Sequence, residues 1–467
     1  MTSVDLILIC SLSALFVVQS LRLQKGQKAA DSYIGANGSL RLGSGTVCIL
    51  AFWITGNTLM AAPESTYDIG VLGSVGYALI GGIALMAFAP FARRIRFVVP
   101  NGKTIGDFFA SRFGVRSYTL LLAMQLFYGI GVLVTQGVAG ETALHEIAGL
   151  PQWLGLALVL LVAMAYTAIG GFSSVVKVGY LQVFIILTAT LLVPSYIFFT
   201  LGIHDVFRGI QVHAIHALDL HSSVGIAFAS SGIVMGIGEV FMDNAFWQRT
   251  YALHQKSVFP AFMISGFTWM LIPLAVSTLS FAALGVNLHP NPANNTAPLV
   301  ASAVGGRFIG ALFLVAVWSA ITSTVGGFLN SIVSFLLHDV YHRVRPHAGE
   351  RETTLTARTL TVLIGITVFS ICLTQQLSMI HTLTFLGVMN AAFIAPIAIG
   401  LFTVKLTDGC VATAILSSIA VGYAVFYTYG PALGIACSFG MGSLVCGTFY
   451  LFRISRSTKC MAGAPRN

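Results

Sequence analysis

The sequence predicts an all-α polytopic membrane protein with about thirteen transmembrane helices. Of its 467 residues, 56% are hydrophobic and only 8% are charged, whereas a soluble domain carries about 25% charged residues. Apolar runs repeatedly reach the roughly 20 residues that a helix needs to cross a bilayer. Because lipid cannot pair with backbone N–H and C=O groups, these runs are predicted to be helical.

The thirteen apolar runs are numbered here in chain order as spans 1 to 13. They cover residues 4–23, 45–64, 71–92, 117–139, 152–169, 178–202, 224–247, 259–284, 307–338, 355–375, 381–404, 410–428 and 432–452. No Lys or Arg precedes span 1 and positive charges follow it, which favours a retained helix over a signal peptide. No polar stretch between the runs is long enough for a soluble domain, which excludes a large soluble enzyme with a membrane anchor.

The positive charges support this count and orient the chain. With the N-terminus outside, 22 of the 24 Lys and Arg residues fall on one side of the membrane, and the remaining two are Arg208 and Arg307. This asymmetry follows the positive-inside rule for short loops. We therefore expect a multi-pass protein of the cytoplasmic (inner) membrane, in contact with membrane lipid and with a cytoplasmic C-terminus. The net charge of +9 reflects this topology, and we expect no nucleic-acid partner.

The spans divide into two blocks of five. Residues 40–205 hold spans 2–6 and residues 222–406 hold spans 7–11. An extra helix in residues 1–30 precedes the blocks, and two helices and a short cytoplasmic tail in residues 407–467 follow them. Because five is an odd number, the second block enters the membrane upside down relative to the first. This 5+5 inverted repeat is the architecture of many secondary transporters.

The first span of each block carries residues that favour a broken helix. Span 2 contains ITGNT at residues 54–58, and span 7 contains SSG at residues 230–232 followed by GIGE at residues 236–239. Glycine tolerates non-helical backbone, and hydroxyls or amides can satisfy the freed backbone groups. We predict a break in both spans; the alternative is ordinary close packing of glycine-containing helices.

Span 9 carries the main candidate for cation binding. Ser323 and Thr324 are adjacent hydroxyl residues in a strongly apolar helix, and the carbonyl of Ala320 lies one turn before Thr324. Hard cations are bound by oxygens from carbonyls and hydroxyls. The alternative is that both hydroxyls bond the carbonyls four residues earlier in their own helix.

Candidate solute-binding residues accompany the predicted breaks. Glu239 is a carboxylate inside a membrane helix, which costs at least a few kcal/mol unless the group is paired or hydrated. It would favour solutes that donate hydrogen bonds or carry positive charge. The predicted solute-binding residues are Asn57, Thr58, Gly236, Glu239 and Asn390. The alternatives are a protonated, structural Glu239 and ordinary hydrogen bonds between helices for the other side chains.

No enzyme motif accompanies these residues, and we expect the protein not to be an enzyme. His145-Glu146 lacks a second histidine at the metalloprotease spacing, and neither a G-x-S-x-G elbow nor a Walker A loop occurs. We expect no organic cofactor.

Two stretches resemble signature motifs of the sodium:solute symporter family. Residues 170–182 (GGFSSVVKVGYLQ) resemble the family pattern GG-x-x-A-V-x-x-T-D-x-x-Q, and residues 241–249 (FMDNAFWQR) resemble the ending of its seventh helix, F-x-D-Q-x-x-W-Q-R. We expect Asp243 to pair with Arg249 or to cap cytoplasmic backbone. The gating or structural residues that these stretches supply are Gly170, Gly171, Gln182, Asp243 and Arg249.

The resemblance implies the leucine-transporter-type fold and sodium-coupled uptake of a small polar organic solute by alternating access. The coupling Na⁺ would be held by Ala51 and Ile54 of span 2, through their carbonyls, and by Ala320, Ser323 and Thr324 of span 9.

The nearest branch of the family looks like the urea/polyamine permeases. The residues that look closest to this branch are Thr58, the stretch 67–70 (YDIG) and Pro100-Asn101 before Thr104. They imply urea, an amine or an amino acid as the solute, and sialic acid or a pantothenate-like acid is the alternative.

The chain departs from the family pattern at Val178-Gly179, where the family has Thr-Asp. In the family that aspartate supports sodium binding, so its absence argues for one coupling ion at most. Lys177 adds a positive charge that would weaken a nearby cation site. A proton-coupled or uncoupled carrier of the same fold, with Glu239 as the titrating group, is the alternative. A further alternative is a membrane sensor that does not transport.

Overall fold

The computed structural model describes residues 3–23, 35, 38–374 and 379–462. Besides short helical turns, its helices are α1 (Ser3–Leu23), α2 (Leu42–Trp53), α3 (Gly56–Ile69), α4 (Val71–Val98), α5 (Ile105–Arg112), α6 (Val115–Ala148), α7 (Gln152–Leu201), α8 (Ile203–His213), α9 (Ser223–Met242), α10 (Asn244–Ala252), α11 (Val258–Gly285), α12 (Thr296–Ala303), α13 (Gly306–Phe335), α14 (Glu350–Thr374), α15 (Met379–Phe402), α16 (Asp408–Tyr429) and α17 (Pro431–Ala462). The described residues form no β-sheet, and the predicted all-α membrane fold is confirmed. Parts of the predicted N-terminal region and tail, residues 24–30 and 463–467, lie outside the described residues.

The number of spans depends on how α7 is divided. Eleven described helices are long and apolar enough to cross a membrane, or twelve if α2 and α3 form one bent span. α7 has 50 residues, which is about 75 Å of helix against a hydrocarbon core of about 30 Å. Its helical backbone is interrupted at Gly171, between the spans predicted at residues 152–169 and 178–202. Helix length does not confirm the count of thirteen, which stays a prediction.

Span 2 is broken as predicted. α2 ends at Trp53, α3 begins at Gly56, and the two axes are bent by 60°. The Thr55 hydroxyl accepts a hydrogen bond from the Thr58 N–H at 3.1 Å, and the Thr55 N–H donates to the Thr58 hydroxyl at 3.1 Å. This reciprocal capping box satisfies backbone donors at the start of α3 and thereby stabilises the break.

Span 7 is not broken where the sequence predicts a break. α9 runs without interruption through all three glycines of the predicted break. A Cβ at Gly236 would lie 2.8 Å from the carbonyl oxygen of Ile80, and one at Gly238 would lie 2.7 Å from that of Asn390. The glycines therefore permit close helix packing, which is the alternative stated above. The chain leaves the helix only at Asp243, where ψ is 119°.

α13 lies at the centre of the molecule, against α6 and α7. Every residue from Ala316 to Phe335 is buried, so solvent cannot satisfy the polar side chains of this stretch. Each polar group must find a partner on its own helix or on a neighbouring one. The packing of α13 therefore decides where the hydroxyls of span 9 point.

α5 is a short helix between α4 and α6 that is capped by Asp107. The Asp107 carboxylate accepts hydrogen bonds from the N–H of Lys103 at 2.7 Å and of Thr104 at 3.2 Å, and it lies 2.9 Å from Nε2 of His338. Burial alone would raise the pKa of this carboxyl, but the hydrogen bond and charge of His338 and the two N–H groups outweigh burial and lower it. The contact with His338 attaches α5 to the helical turn that follows α13.

Candidate functional site

The break between α2 and α3 releases two backbone carbonyls. In an uninterrupted helix the Ala51 carbonyl would accept from the N–H of Thr55, and the Ile54 carbonyl from the N–H of Thr58. Here the Thr55 N–H donates to the Thr58 hydroxyl, and the Thr58 N–H bonds the Thr55 oxygens. Ala51 and Ile54 therefore present carbonyl oxygens that their own helix does not use.

The released carbonyls face two hydroxyls of α13. Ser323 Oγ lies 2.6 Å from the Ala51 carbonyl oxygen, and Thr324 Oγ1 lies 3.5 Å from that of Ile54. These two contacts connect the broken span 2 to span 9, and they involve four of the five residues that the family resemblance implies for the sodium site. The contact is made by side-chain hydroxyls on one side and by main-chain carbonyls on the other, so its geometry depends on the break.

Neighbouring hydroxyls on the same helix behave differently. Ser319 donates to the Val315 carbonyl at 2.8 Å, and Thr322 donates to the Trp318 carbonyl at 2.7 Å. These two residues make the intrahelical bonds that are usual for hydroxyls in membrane helices. The next two hydroxyls of α13 instead reach across to α2, so the intrahelical alternative does not describe them.

The arrangement suits a sodium ion. Ala51 and Ile54 supply carbonyl oxygens, Ser323 and Thr324 supply hydroxyl oxygens, and Ala320 lies one turn before Thr324 on α13. These are neutral, hard oxygen donors of the kind that alkali and alkaline-earth cations prefer. All five residues are at most 5% exposed, so the protein would replace water around the ion.

α7 supports α13 beside this candidate sodium site. Gln182 Nε2 donates to the Thr322 hydroxyl at 3.1 Å, and the Tyr166 hydroxyl donates to the Thr322 carbonyl. Gly179, at the position of the family's aspartate, lies against Ala51, since a Cβ there would be 2.9 Å from the Ala51 Cβ. Because residue 179 is glycine, this position supplies no carboxylate to the candidate ligands.

The two glycines that open the motif on α7 have different roles. Gly171 has φ 54° and ψ −140°, a conformation that glycine adopts readily and other residues do not. Gly170 leaves room for a neighbouring side chain, because a Cβ there would lie 2.0 Å from the Ser174 hydroxyl oxygen. Gly171 therefore makes the kink, and Gly170 allows the chain to pack beside it.

Replacing Gly171 by alanine should destabilise the protein by about 1–3 kcal/mol, because alanine is strained in this conformation. Thermal unfolding of the purified protein in detergent should show a lower midpoint. Gly447→Ala in α17 is the matched control, because nothing lies within 4 Å of the added Cβ and alanine is favoured over glycine inside a helix. Equal midpoints for the two variants would contradict the assigned role of Gly171.

A cavity of about 130 Å³ lies beside the break in span 2. Its lining combines apolar and aromatic side chains with a few polar groups, as is usual for small-molecule sites. The polar and aromatic residues that line it include Trp53, Asn57, Thr58, Tyr77, Gln136, Glu239 and Trp269. The volume suits a solute of only a few non-hydrogen atoms.

Glu239 is the one carboxylate among the described residues that line the cavity. The Tyr128 hydroxyl donates to its Oε1 at 2.7 Å, which leaves Oε2 for a solute. In the part of the chain that the structure describes, no Lys, Arg or His lies within 4.0 Å of this carboxylate. Glu239 therefore offers a hydrogen-bond acceptor that is not neutralised by a basic side chain.

The other predicted solute-binding residues divide into two groups. Asn57 and Thr58 line the cavity; Asn57 Oδ1 is buried without a hydrogen-bond partner, whereas the Thr58 hydroxyl is occupied by Thr55. Gly236 and Asn390 do not belong to the described lining. Because α9 is unbroken at its glycines, Gly236 packs against α4, and the backbone of Asn390 packs against α9.

Asp243 and Arg249 do not form an ion pair within 4.0 Å in the described structure. Asp243 instead caps α10 by accepting a hydrogen bond from the Ala245 N–H at 2.8 Å, which is the second of the two expected roles. The buried Arg249 donates to the carbonyls of Cys48 at 3.1 Å and Ala245 at 3.0 Å, and its guanidinium lies 4.0 Å from the Phe52 ring centroid. Arg249 thus attaches α10 to α2.

Sequence reasoning does not single out Tyr128 or Gln136. Gln136 Oε1 accepts a hydrogen bond from the Gly56 N–H at 3.1 Å and so supports the first turn of α3. A glutamine in the middle of an apolar span is itself a signal, because it requires a partner inside the membrane. Tyr128 offers no comparable signal, since its role depends on the position of Glu239 on another helix.

The sequence is similar to that of a known family of membrane transporters. The profile of the sodium:solute symporter family matches residues 33–417. The chain is 24% identical over 385 residues to the probable urea active transporter 1 of Schizosaccharomyces pombe, covering 76% of this chain and 58% of that protein. It is 23% identical over 441 residues to a urea–proton symporter of Oryza sativa subsp. japonica, covering 86% of this chain and 61% of that protein.

A solved structure shows the same fold. A Na⁺-coupled sialic acid symporter in its substrate-bound outward-open state superposes with a TM-score of 0.80 at 18% identity, covering 96% of this chain and 98% of that chain. The chain spans only 58–61% of the length of the two relatives named above. The family profile, by contrast, extends from before α2 into α16. The chain therefore belongs to the sodium:solute symporter family.

Proposed function

We propose that the chain is a sodium-coupled symporter that takes up a small polar organic solute by alternating access. The observation that carries the proposal is that the Ser323 and Thr324 hydroxyls face the carbonyls released at Ala51 and Ile54. With the N-terminus outside, as the positive charges favour, the solute and the ion enter the cytoplasm across the cytoplasmic membrane. The named relatives are transporters, and we propose no catalytic activity.

The break in span 2 couples the ion to the solute. Ile54 lies on the sodium side of the break, and Asn57, three residues later, lines the cavity. An ion that orders the break therefore also positions the solute site. By linkage, the solute must raise sodium affinity by the same factor that sodium raises solute affinity. A negative cytoplasmic potential adds about 2.3 kcal/mol per charge per 100 mV to inward movement.

The cavity favours a solute that donates hydrogen bonds from more than one nitrogen. Glu239 presents a free carboxylate oxygen and Asn57 presents a buried amide oxygen without a partner. The aromatic side chains of Trp53 and Tyr77 also line the cavity, and aromatic rings suit a planar group. Urea has two amide nitrogens, is planar and has four non-hydrogen atoms, and relatives are named urea transporters. We therefore propose urea as the first candidate and a small amine or amino acid as the next.

Proton coupling is the second candidate mechanism. Glu239 faces the cavity without a basic partner among the described residues, so it is placed to carry a proton with the solute. The rice relative is named a urea–proton symporter. In this mechanism the hydroxyls of Ser323 and Thr324 would only connect α13 to the broken span 2 and would bind no ion.

The coupling ion can be tested by urea uptake into liposomes that contain the purified protein. At equal pH on both sides, an inward sodium gradient should drive accumulation of labelled urea above its external concentration. A sodium ionophore should abolish the accumulation, because the ion gradient is its source of energy. Protein-free liposomes are the control, since urea also crosses bilayers unaided.

The reverse experiment separates the two mechanisms. An inward proton gradient without sodium should produce no accumulation if sodium is the coupling ion. Accumulation driven by the proton gradient alone would overturn sodium coupling and support the role of Glu239 as proton carrier. If neither gradient acts on urea, thermal stabilisation by amines and amino acids, with and without sodium, identifies another solute.

A further inference from the structure

A second cluster of ligand-type side chains lies where α5 meets the helical turn after α13. Asp107, His338 and Asp339 each offer one ligand atom, and these atoms all lie within 4.8 Å of one another. His338 is fourteen residues beyond Thr324, which is about 21 Å along a helix. The cluster is therefore separate from the candidate sodium site, and the charge distribution places it on the cytoplasmic side.

Two carboxylates meet here, and His338 contacts only that of Asp107. The side chain of Asp339 is buried, and those of Asp107 and His338 are 25% and 23% exposed. In the described structure, His338 is the one basic group within 4.0 Å of either carboxylate. The buried Asp339 carboxylate has no basic group within 4.0 Å among the described residues; a buried charge without a counter-charge is costly, and a divalent cation would provide one. The partial exposure of two of the three ligands leaves a route from the cytoplasm.

The arginines near the cluster are engaged elsewhere. The Arg343 guanidinium lies 4.2 Å from the ring centroid of Tyr118. Arg96 donates to the Pro100 carbonyl at 2.8 Å. Neither arginine forms an ion pair with a carboxylate of the cluster within 4.0 Å.

Hydrogen bonds from a surrounding shell hold both carboxylates in place. The N–H groups of Lys103 and Thr104 donate to Asp107 Oδ2. The hydroxyls of Thr104 and Tyr118 donate to Asp339 at 2.7 and 3.1 Å. Donors of this kind orient carboxylates that bind metals and are a regular part of such sites.

The Tyr251 hydroxyl supplies an independent sign of a missing ligand. Tyr251 is 5% exposed, and its hydroxyl has no hydrogen-bond partner among the residues that the structure describes. The hydroxyl borders Gly102, where a Cβ would lie 2.5 Å from it, and it is close enough to Asp107, Arg96 and Asp339 to be affected by their charges. Buried polar groups are rarely left unpaired, and a water molecule bound to a metal in the cluster would pair this one.

We propose that Asp107, His338 and Asp339 form a binding site for a first-row divalent transition metal such as Zn²⁺. One imidazole nitrogen and two carboxylate oxygens are a donor set that these metals accept, with water in the remaining position. The metal takes the lone pair of His338 Nε2, which replaces the contact between that atom and Asp107. Binding fastens α5 to the end of α13, independently of which ion drives transport.

The test is titration of the purified, tag-free protein with Zn²⁺, followed by calorimetry. We expect one site in the wild-type protein and at least a roughly tenfold weaker affinity in His338→Ala and in Asp107→Asn. His342→Ala is the matched control, because His342 lies one turn further along the same segment and outside the cluster; its affinity should equal that of the wild type. Thermal unfolding without metal shows whether each variant is folded, and His338→Gln replaces the alanine variant if it is not.

The proposal is overturned if the wild-type protein binds no Zn²⁺, or if its affinity survives both His338→Ala and Asp107→Asn. It is also overturned if His342→Ala weakens binding as much as His338→Ala, because the metal would then lie elsewhere. Co²⁺, whose visible absorption reports nitrogen and oxygen ligation, should show the same dependence on His338. These readouts do not use transport, so the metal site and the proposed symport can fail separately.

Discussion

Replacing Ser323 and Thr324 together by alanine should abolish sodium-driven accumulation while the protein remains folded. The two hydroxyls supply half of the four oxygens that meet between α2 and α13. A hydrogen-bonding or coordinating contact to a charged group contributes about 1.5–3 kcal/mol, so each lost oxygen should weaken sodium binding by roughly 10- to 150-fold. Sodium affinity, measured by the thermal stabilisation that sodium produces, should fall accordingly.

The matched control is Ser319→Ala on the same buried helix. Ser319 donates to its own helix at the Val315 carbonyl, so its loss removes a hydroxyl without touching α2. This variant should keep both sodium-induced stabilisation and uptake. Intact accumulation against a gradient in the Ser323→Ala/Thr324→Ala double variant would overturn the candidate site. Loss of accumulation in Ser319→Ala as well would indicate damage to α13 instead.

Of the candidate sodium residues, Ser323 and Thr324 can be proposed from local chemistry alone, whereas Ala51 and Ile54 follow only from the family resemblance. Ser323 and Thr324 are adjacent in one helix, and the carbonyls of Ala51 and Ile54 are freed by residues that lie within four positions of them. The break itself was predicted from the glycine, hydroxyl and amide residues at positions 54–58, but the capping box between Thr55 and Thr58 is seen only in the structure. What the sequence could not decide was the direction of the two hydroxyls, which depends on the contact between α2 and α13.

The break in span 7 was predicted wrongly because glycine has two uses in membrane helices. The same residue that permits a kink also permits close approach, and only the neighbouring helix decides between them. Gly236 and Gly238 face carbonyls of Ile80 and Asn390, contacts between helices far apart in the chain. The predicted solute role of Gly236 depended on that break, whereas that of Asn390 on span 11 did not, and both stay predictions although neither residue lines the described cavity.

The partner of Glu239 also lies beyond sequence reasoning. Tyr128 is 111 positions away in the chain, yet its hydroxyl donates to the Glu239 carboxylate. One donated hydrogen bond reduces the cost of placing this acid inside a membrane protein, but it leaves one carboxylate oxygen without a partner among the described residues. The pair therefore combines a stabilised position with an unused acceptor, as a solute site requires.

Glu239→Gln should remove the thermal stabilisation produced by urea, or by whichever solute binds, and leave the stabilisation produced by sodium. The carboxylate is replaced by a neutral amide of nearly the same size, so the shape of the cavity is kept. A lost charge-assisted hydrogen bond of about 1.5–3 kcal/mol corresponds to a roughly 10- to 150-fold weaker solute affinity. The unliganded protein should unfold at the same or a higher temperature, because an amide costs less to bury than a carboxylate.

Glu141→Gln is the control, since Glu141 lies on α6 but outside the described lining of the cavity. This variant should retain the stabilisation by solute and by sodium.

The Glu239→Gln variant also distinguishes sodium coupling from proton coupling. If Glu239 carries the proton, Glu239→Gln should lose accumulation but still exchange labelled for unlabelled solute. If sodium drives uptake, solute affinity should fall and sodium-driven accumulation should return at high solute concentration. Unchanged solute and sodium effects in Glu239→Gln would remove this carboxylate from the site altogether, because no other acid lines the described cavity.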